Sequence, residues 1–170
     1  MSTFAGSSAL VKLYADEAGH EQVRSLVSIA VAQLARVEVP AALWRKQRMG
    51  ELSAGDAGLL TADFEADYFG TGSEPPRFAA VAVTGSLLDQ AARLCASHGL
   101  RAYDAVQLSA ALAVRRVDGS CTEFAAFDRS LRTPAATEGF ELVPPDPPGF
   151  TSFGARRRAG SGGGGPARCR

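Results

Sequence analysis

The stretch LRAYDAVQLSAALAVRR, residues 100–116, constrains the fold of this chain more than any other. Its alanines and serine place small side chains on nearly every face of a helix, so neighbouring elements can approach closely on both sides. Such a helix belongs at the centre of a domain rather than on its surface. The apolar stretches of the chain are broken by charge or glycine well short of the ~20 residues that a membrane span needs. The helix must therefore be buried by the protein itself.

Short apolar runs and helical patterns alternate around it. The opening MSTFAGSSALVKLY reads as a strand, an elbow at Gly6-Ser7-Ser8 and a helix. A helix near residues 20–28 is followed by a short apolar stretch and a second helix to about Met49, closed by Gly50. Pro40 is tolerable in that helix if it lies in about the first turn, where amide protons lack intrahelical partners. Ser53 begins a further helix, and FAAVAV (Phe78 to Val83) reads as a buried strand. Ser86-Leu87-Leu88-Asp89 has the capping-box spacing for a helix that Gly99 ends. TEFAAFDRSL gives a strand and then a helix start, and GFELV a last strand. Strands alternating with helices predict a Rossmann-like three-layer α/β/α sandwich with a mostly parallel sheet.

Length and composition limit the function classes. A chain of 170 residues with 46% apolar and 21% charged residues fits one globular domain, which we end near residue 148. Residues 149–170 form a Gly/Arg-rich tail without an apolar face and are expected to be disordered. The start of the chain has no basic region leading into an apolar run, so a cytoplasmic, membrane-free protein is expected. Three cysteines without a CxxC pair argue against a disulfide framework or zinc ribbon. Two histidines leave little for a Ser/His/Asp triad; Cys95 and His98, at helical i, i+3, read as a buried thiol and a helix-end imidazole. The net charge of zero hides an asymmetry, because residues 151–170 carry five basic and no acidic residues. The rest therefore holds thirteen basic against eighteen acidic residues, a net of −5. Nucleic acid would be met locally on such a body, for instance along Arg45-Lys46-Gln47-Arg48, with Arg45 the candidate substrate contact.

Three acids stand out by their neighbours: Glu38 between two valines, Asp104 after Tyr103 and before Ala105-Val106, and Asp128 directly after FAAF. Each also has a structural explanation. Asp104 and Asp128 begin helices, where an Asp caps free amides, and Glu38 could pair with a cation on its own helix. Alternatively, a doubly wound sheet gathers all three at one edge. Clustered carboxylates are tolerated around a hard divalent cation, and all-oxygen ligation favours Mg²⁺ or Mn²⁺ over zinc. Such a site suits phosphodiester hydrolysis and needs no histidine.

ALVKLYADEAG after a strand, VEVPAALWR, HGLRAYDAVQLSAAL, and FDRSL followed by AATEGFELV resemble, in order and spacing, PIN domains of the VapC type, the toxin ribonucleases of bacterial toxin–antitoxin pairs. The resemblance runs from about Phe4 to Pro144. It implies a PIN fold, Mg²⁺- or Mn²⁺-dependent endoribonuclease chemistry on RNA, a homodimer, and a cognate VapB-like antitoxin. It also implies that Glu38, Asp104 and Asp128 are catalytic metal ligands and that Ser8 is the supporting hydroxyl. The family's first acid, an Asp at the end of strand one, falls on Gly6, a vacant ligand position. The expectation is therefore an impaired endoribonuclease or, as the alternative, a catalytically inactive PIN domain that binds an antitoxin or RNA. A phosphatase of the haloacid-dehalogenase type would need an Asp-x-Asp after strand one, which Gly6-Ser7-Ser8 does not supply.

Overall fold

The structure, a computed structural model, describes residues 2–146. The expected tail from residue 149 lies outside them. Five short strands, β1 (Ser2–Ala5), β2 (Ile29–Ala32), β3 (Phe78–Val81), β4 (Cys121–Ala125) and β5 (Glu141–Val143), form one sheet in the order β3-β2-β1-β4-β5. Every pairing is parallel. Seven helices connect and cover them among the described residues: α1 (Ser7–Tyr14), α2 (His20–Arg24), α3 (Ala35–Arg48), α4 (Ala54–Phe69), α5 (Gly85–His98), α6 (Ala102–Val117) and α7 (Arg129–Thr137).

Strand alternation divides the core in two. Phe4, Ala30, Ala32 and Phe124 face one side, where they pack with α5, α6 and α7. Ala5, Ile29, Val31 and Ala125 face the other, with residues of α1, α3 and α4. Successive side chains of a strand point to opposite faces, so two helical layers on one sheet are the direct outcome. β1 is buried along its whole length, as the middle strand of a doubly covered parallel sheet must be. On one face Phe124 stacks on Phe4 and meets Phe140 edge-on, with ring centroids 5.4 and 5.6 Å away. The Ala-rich α6 is central as expected, and every residue from Ala105 to Leu112 is buried.

Three local expectations are corrected. FAAVAV is not a buried strand: β3 ends at Val81 and forms the sheet edge, with Phe78 buried but Ala79 and Ala80 exposed. The cap of α5 is Thr84, whose hydroxyl accepts from the Leu87 amide at 3.3 Å, so the helix starts ahead of the Ser86 capping box. Pro40 lies in the second turn of α3, because Leu34 already accepts hydrogen bonds from the amides of Val37 and Glu38. The ring then deprives the Arg36 carbonyl of its amide partner in the helix, at a residue that is exposed. The apolar stretch before α3 is β2 itself.

Candidate metal centre at the carboxyl edge of the sheet

In a parallel sheet the strand order reverses direction at one point, and a crevice opens there beyond the carboxyl ends of the strands. Here β1 leads to β2 and β3 on one side and has β4 and β5 on the other, so the switch lies between β1 and β4. Gly6 follows β1, the turn after β2 leads to Glu38 in the first turn of α3, and Asp128 follows β4. Asp104 comes from the first turn of α6.

Each acid is held by one of its oxygens. Glu38 accepts at Oε2 from the Ser7 hydroxyl and from the Gln107 side-chain amide, both at 2.6 Å. Asp104 accepts at Oδ2 from the Ser130 hydroxyl at 3.1 Å, and Asp128 accepts at Oδ1 from the Ser130 amide at 2.9 Å. Ser130 thus joins two of the acids directly. Asp128 is the cap of α7, which satisfies its structural reading. Asp104 caps no amide, because α6 is preceded by Arg101, but it lies in the first turn of α6, where a carboxylate favours the helix macrodipole, so half of its structural reading holds. Nor does Glu38 pair with a cation on its own helix; its partners are a hydroxyl and a carboxamide.

The electrostatics follow this arrangement. Burial pushes the Glu38 carboxyl above the usual carboxylate range; the bonds from Ser7 and Gln107 oppose the rise, and the charge of Asp104 adds to it. Burial likewise pushes Asp104 up, with Ser130 and Arg101 opposing and the charge of Asp128 adding. Asp104 therefore interacts with both other acids. Two carboxyls at this edge are thus lifted by burial and by like charge. Among the described residues no three His, Cys, Asp or Glu side chains close into a ready metal cage.

The remaining candidates lie around this edge. Ser8 does not reach an acid: its hydroxyl accepts from the Phe127 amide at 3.1 Å and ties the start of α1 to the turn after β4. The serine on Glu38 is Ser7. Arg45 is exposed on α3, seven residues beyond Glu38 and hence two turns along the same helix face. His98 contacts Glu138 at 2.7 Å, a structural pair consistent with its helix-end reading. Ser7, Gln107 and Ser130, which hold these acids, carry no distinguishing local pattern in the sequence. Gln107 leaves only one trace there, as a polar residue one turn after Asp104 in an otherwise alanine-rich helix.

Gly6 is buried, with φ −71° and ψ 158°, an extended conformation open to any residue. A Cβ built there would lie 2.8 Å from Gln107 Oε1, 3.5 Å from the Ala125 carbonyl oxygen and 3.6 Å from a Leu131 methyl. The space beside it is filled by the side chain of Gln107.

No helix among the described residues is long and apolar enough to cross a membrane. The sequence matches no family model and no curated protein. In three dimensions the chain is similar to the crystal structure of PAE2754 from Pyrobaculum aerophilum, with a TM-score of 0.56 and 22% identity, covering 85% of each chain. At that identity the likeness is one of fold, and it agrees with the α/β sandwich described above.

Proposed function

We propose that this chain is a divalent-metal-dependent endoribonuclease resembling the VapC toxins, impaired by the loss of an acid at Gly6. The observation that carries the reading is that Glu38, Asp104 and Asp128 all lie around the switch point of the sheet, with Ser130 bonded to both Asp104 and Asp128. Glu38, Asp104 and Asp128 would hold the Mg²⁺ or Mn²⁺. When bound, the ion lowers the pKa of a coordinated water and offsets charge developing on the phosphate.

The protein's own groups do the positioning. Glu38 is held at Oε2, Asp104 at Oδ2 and Asp128 at Oδ1, so each acid is oriented through a named oxygen. Ser7, Gln107 and Ser130 fix the carboxylate planes in advance. Arg45, on the face of α3 that also carries Glu38, is suited to a phosphate of the RNA. Even outer-shell changes commonly cost ~10- to 100-fold in metal affinity or activity, so a missing direct ligand weakens the site at least that much. A cytoplasmic homodimer with a VapB-like antitoxin belongs to the same reading.

Incubating the purified chain with structured RNA and Mn²⁺ tests it. Slow, Mn²⁺-dependent cleavage that disappears in Asp104→Asn is the expected result; cleavage that survives the substitution overturns the assignment. A second reading, an inactive domain that binds an antitoxin or RNA, is favoured by the filled space beside Gly6. Under that reading the chain retains RNA without cutting it at any Mn²⁺ concentration.

A further inference from the structure

We propose that Gln107 is a positioning residue that acts as one unit with Gly6: its carboxamide takes the volume beside position 6 and locks Glu38 to the start of α1, so an acid at position 6 completes the site only when the amide of 107 gives way. The proposal rests on the reading above for its choice of Mn²⁺ as probe, but its geometry does not depend on that reading.

Backbone strain does not explain a glycine at position 6, because its extended conformation suits any residue. The tightest neighbour of an added Cβ is the Gln107 oxygen at 2.8 Å, closer than real Cβ atoms come to their contacts; the other two neighbours lie at ordinary van der Waals distance. Gln107 must therefore move if position 6 carries a side chain.

The far end of a glutamine ordinarily moves at little cost, but this one is held. Gln107 is 4% exposed. Its Oε1 accepts from the Ser7 amide at 3.1 Å, and its Nε2 donates to Glu38 Oε2 at 2.6 Å and to Ser7 Oγ at 3.3 Å. The Ser7 amide is the first of α1, and Gly6 offers no side chain to cap that helix. Gln107 thus supplies from α6 an acceptor that the start of α1 lacks locally. An Asp at position 6 is no simple replacement, because a cap side chain accepts from the second or third amide of its helix rather than the first. Displacing the carboxamide leaves the buried Ser7 amide without that acceptor and Glu38 without its amide donor, and breaking bonds to buried groups is costly.

A double-mutant cycle on the full chain tests this, with Gly6→Asp and Gln107→Ala singly and together. Two quantities are read: Mn²⁺ affinity from the electron paramagnetic resonance signal of the ion, and the thermal midpoint. Gly6→Asp alone is expected to lower the midpoint and to leave Mn²⁺ affinity within a few-fold of the parent. In the Gln107→Ala background the same Gly6→Asp change is expected to raise Mn²⁺ affinity about tenfold or more and to spare the midpoint, the size of effect that contacting residues show when they couple. Equal effects of Gly6→Asp in both backgrounds, on affinity and on midpoint, overturn the proposal. Gln107→Ser replaces Gln107→Ala if the latter does not fold. Should no variant bind Mn²⁺, the metal-dependent reading fails, while the midpoint cycle still decides the coupling of positions 6 and 107.

Discussion

Ser7→Ala tests the organisation of the acidic edge with little disturbance elsewhere. The change removes one oxygen atom, which donates to Glu38 Oε2 at 2.6 Å and accepts from Gln107 Nε2 at 3.3 Å. Hydrogen bonds to charged groups contribute about 1.5–3 kcal/mol and neutral ones about 0.5–1.5 kcal/mol. Glu38 is only half-buried, so water recovers part of the first term, and the second bond is long. Alanine also favours helix over serine by roughly 0.5 kcal/mol at most, which offsets a little more. The expected net loss is about 1–2 kcal/mol. For a domain of this size each kcal/mol moves the thermal midpoint by about 2–4 °C, so calorimetry should record a drop of about 2–8 °C. The same substitution made in Glu38→Gln should lose less, by about 1 kcal/mol, because the acceptor is then neutral. A midpoint unchanged in Ser7→Ala, or an identical drop in both backgrounds, refutes the view that Ser7 holds the Glu38 carboxylate.

Three further outcomes are expected. The Glu38 and Asp104 carboxyls are raised in the folded chain by burial and by like charge, so the folded state binds protons more readily than the unfolded one. Their contribution therefore improves as pH falls from neutrality through the folded values toward the ordinary carboxylate range, and urea titrations of the parent minus Glu38→Gln should show that sign. Phe124→Ala, at a fully buried ring packed between Phe4 and Phe140, should cost about 3–5 kcal/mol in the same assay. Thr84→Ala should cost about 1 kcal/mol, whereas Ser86→Ala should stay within about 0.5 kcal/mol, because Thr84 holds the Leu87 amide.

The features legible in the sequence were those with local causes. The elbow after β1, the small-residue faces of α6 and the Asp cap of α7 follow from neighbouring residues, and all three stand in the structure. The four-residue β2 had too short a pattern to separate from a generic apolar stretch. FAAVAV is apolar throughout and so reads as buried, yet alanines are small enough to stand exposed on a sheet edge at little cost. The three acids were found because a carboxylate among valines or phenylalanines is unusual. Their partners were not, because Ser7 was indistinguishable from Ser8 in a run of two serines. The role of Gln107 depends on chain far from it in sequence, and no local pattern encodes that relation.

Those separations have a bearing on how the chain reaches its native state. The contact from Gln107 to Ser7 spans 100 residues, that from Phe127 to Ser8 spans 119, and even Ser7 to Glu38 spans 31. Each such pairing requires a long loop to close before the contact contributes anything. During synthesis, the first half of the molecule emerges with Glu38 but without α6, β4 or the amide that holds Glu38. The acidic edge is thus assembled from α1, α3, α6 and the start of α7, and no contiguous stretch of the chain contains it.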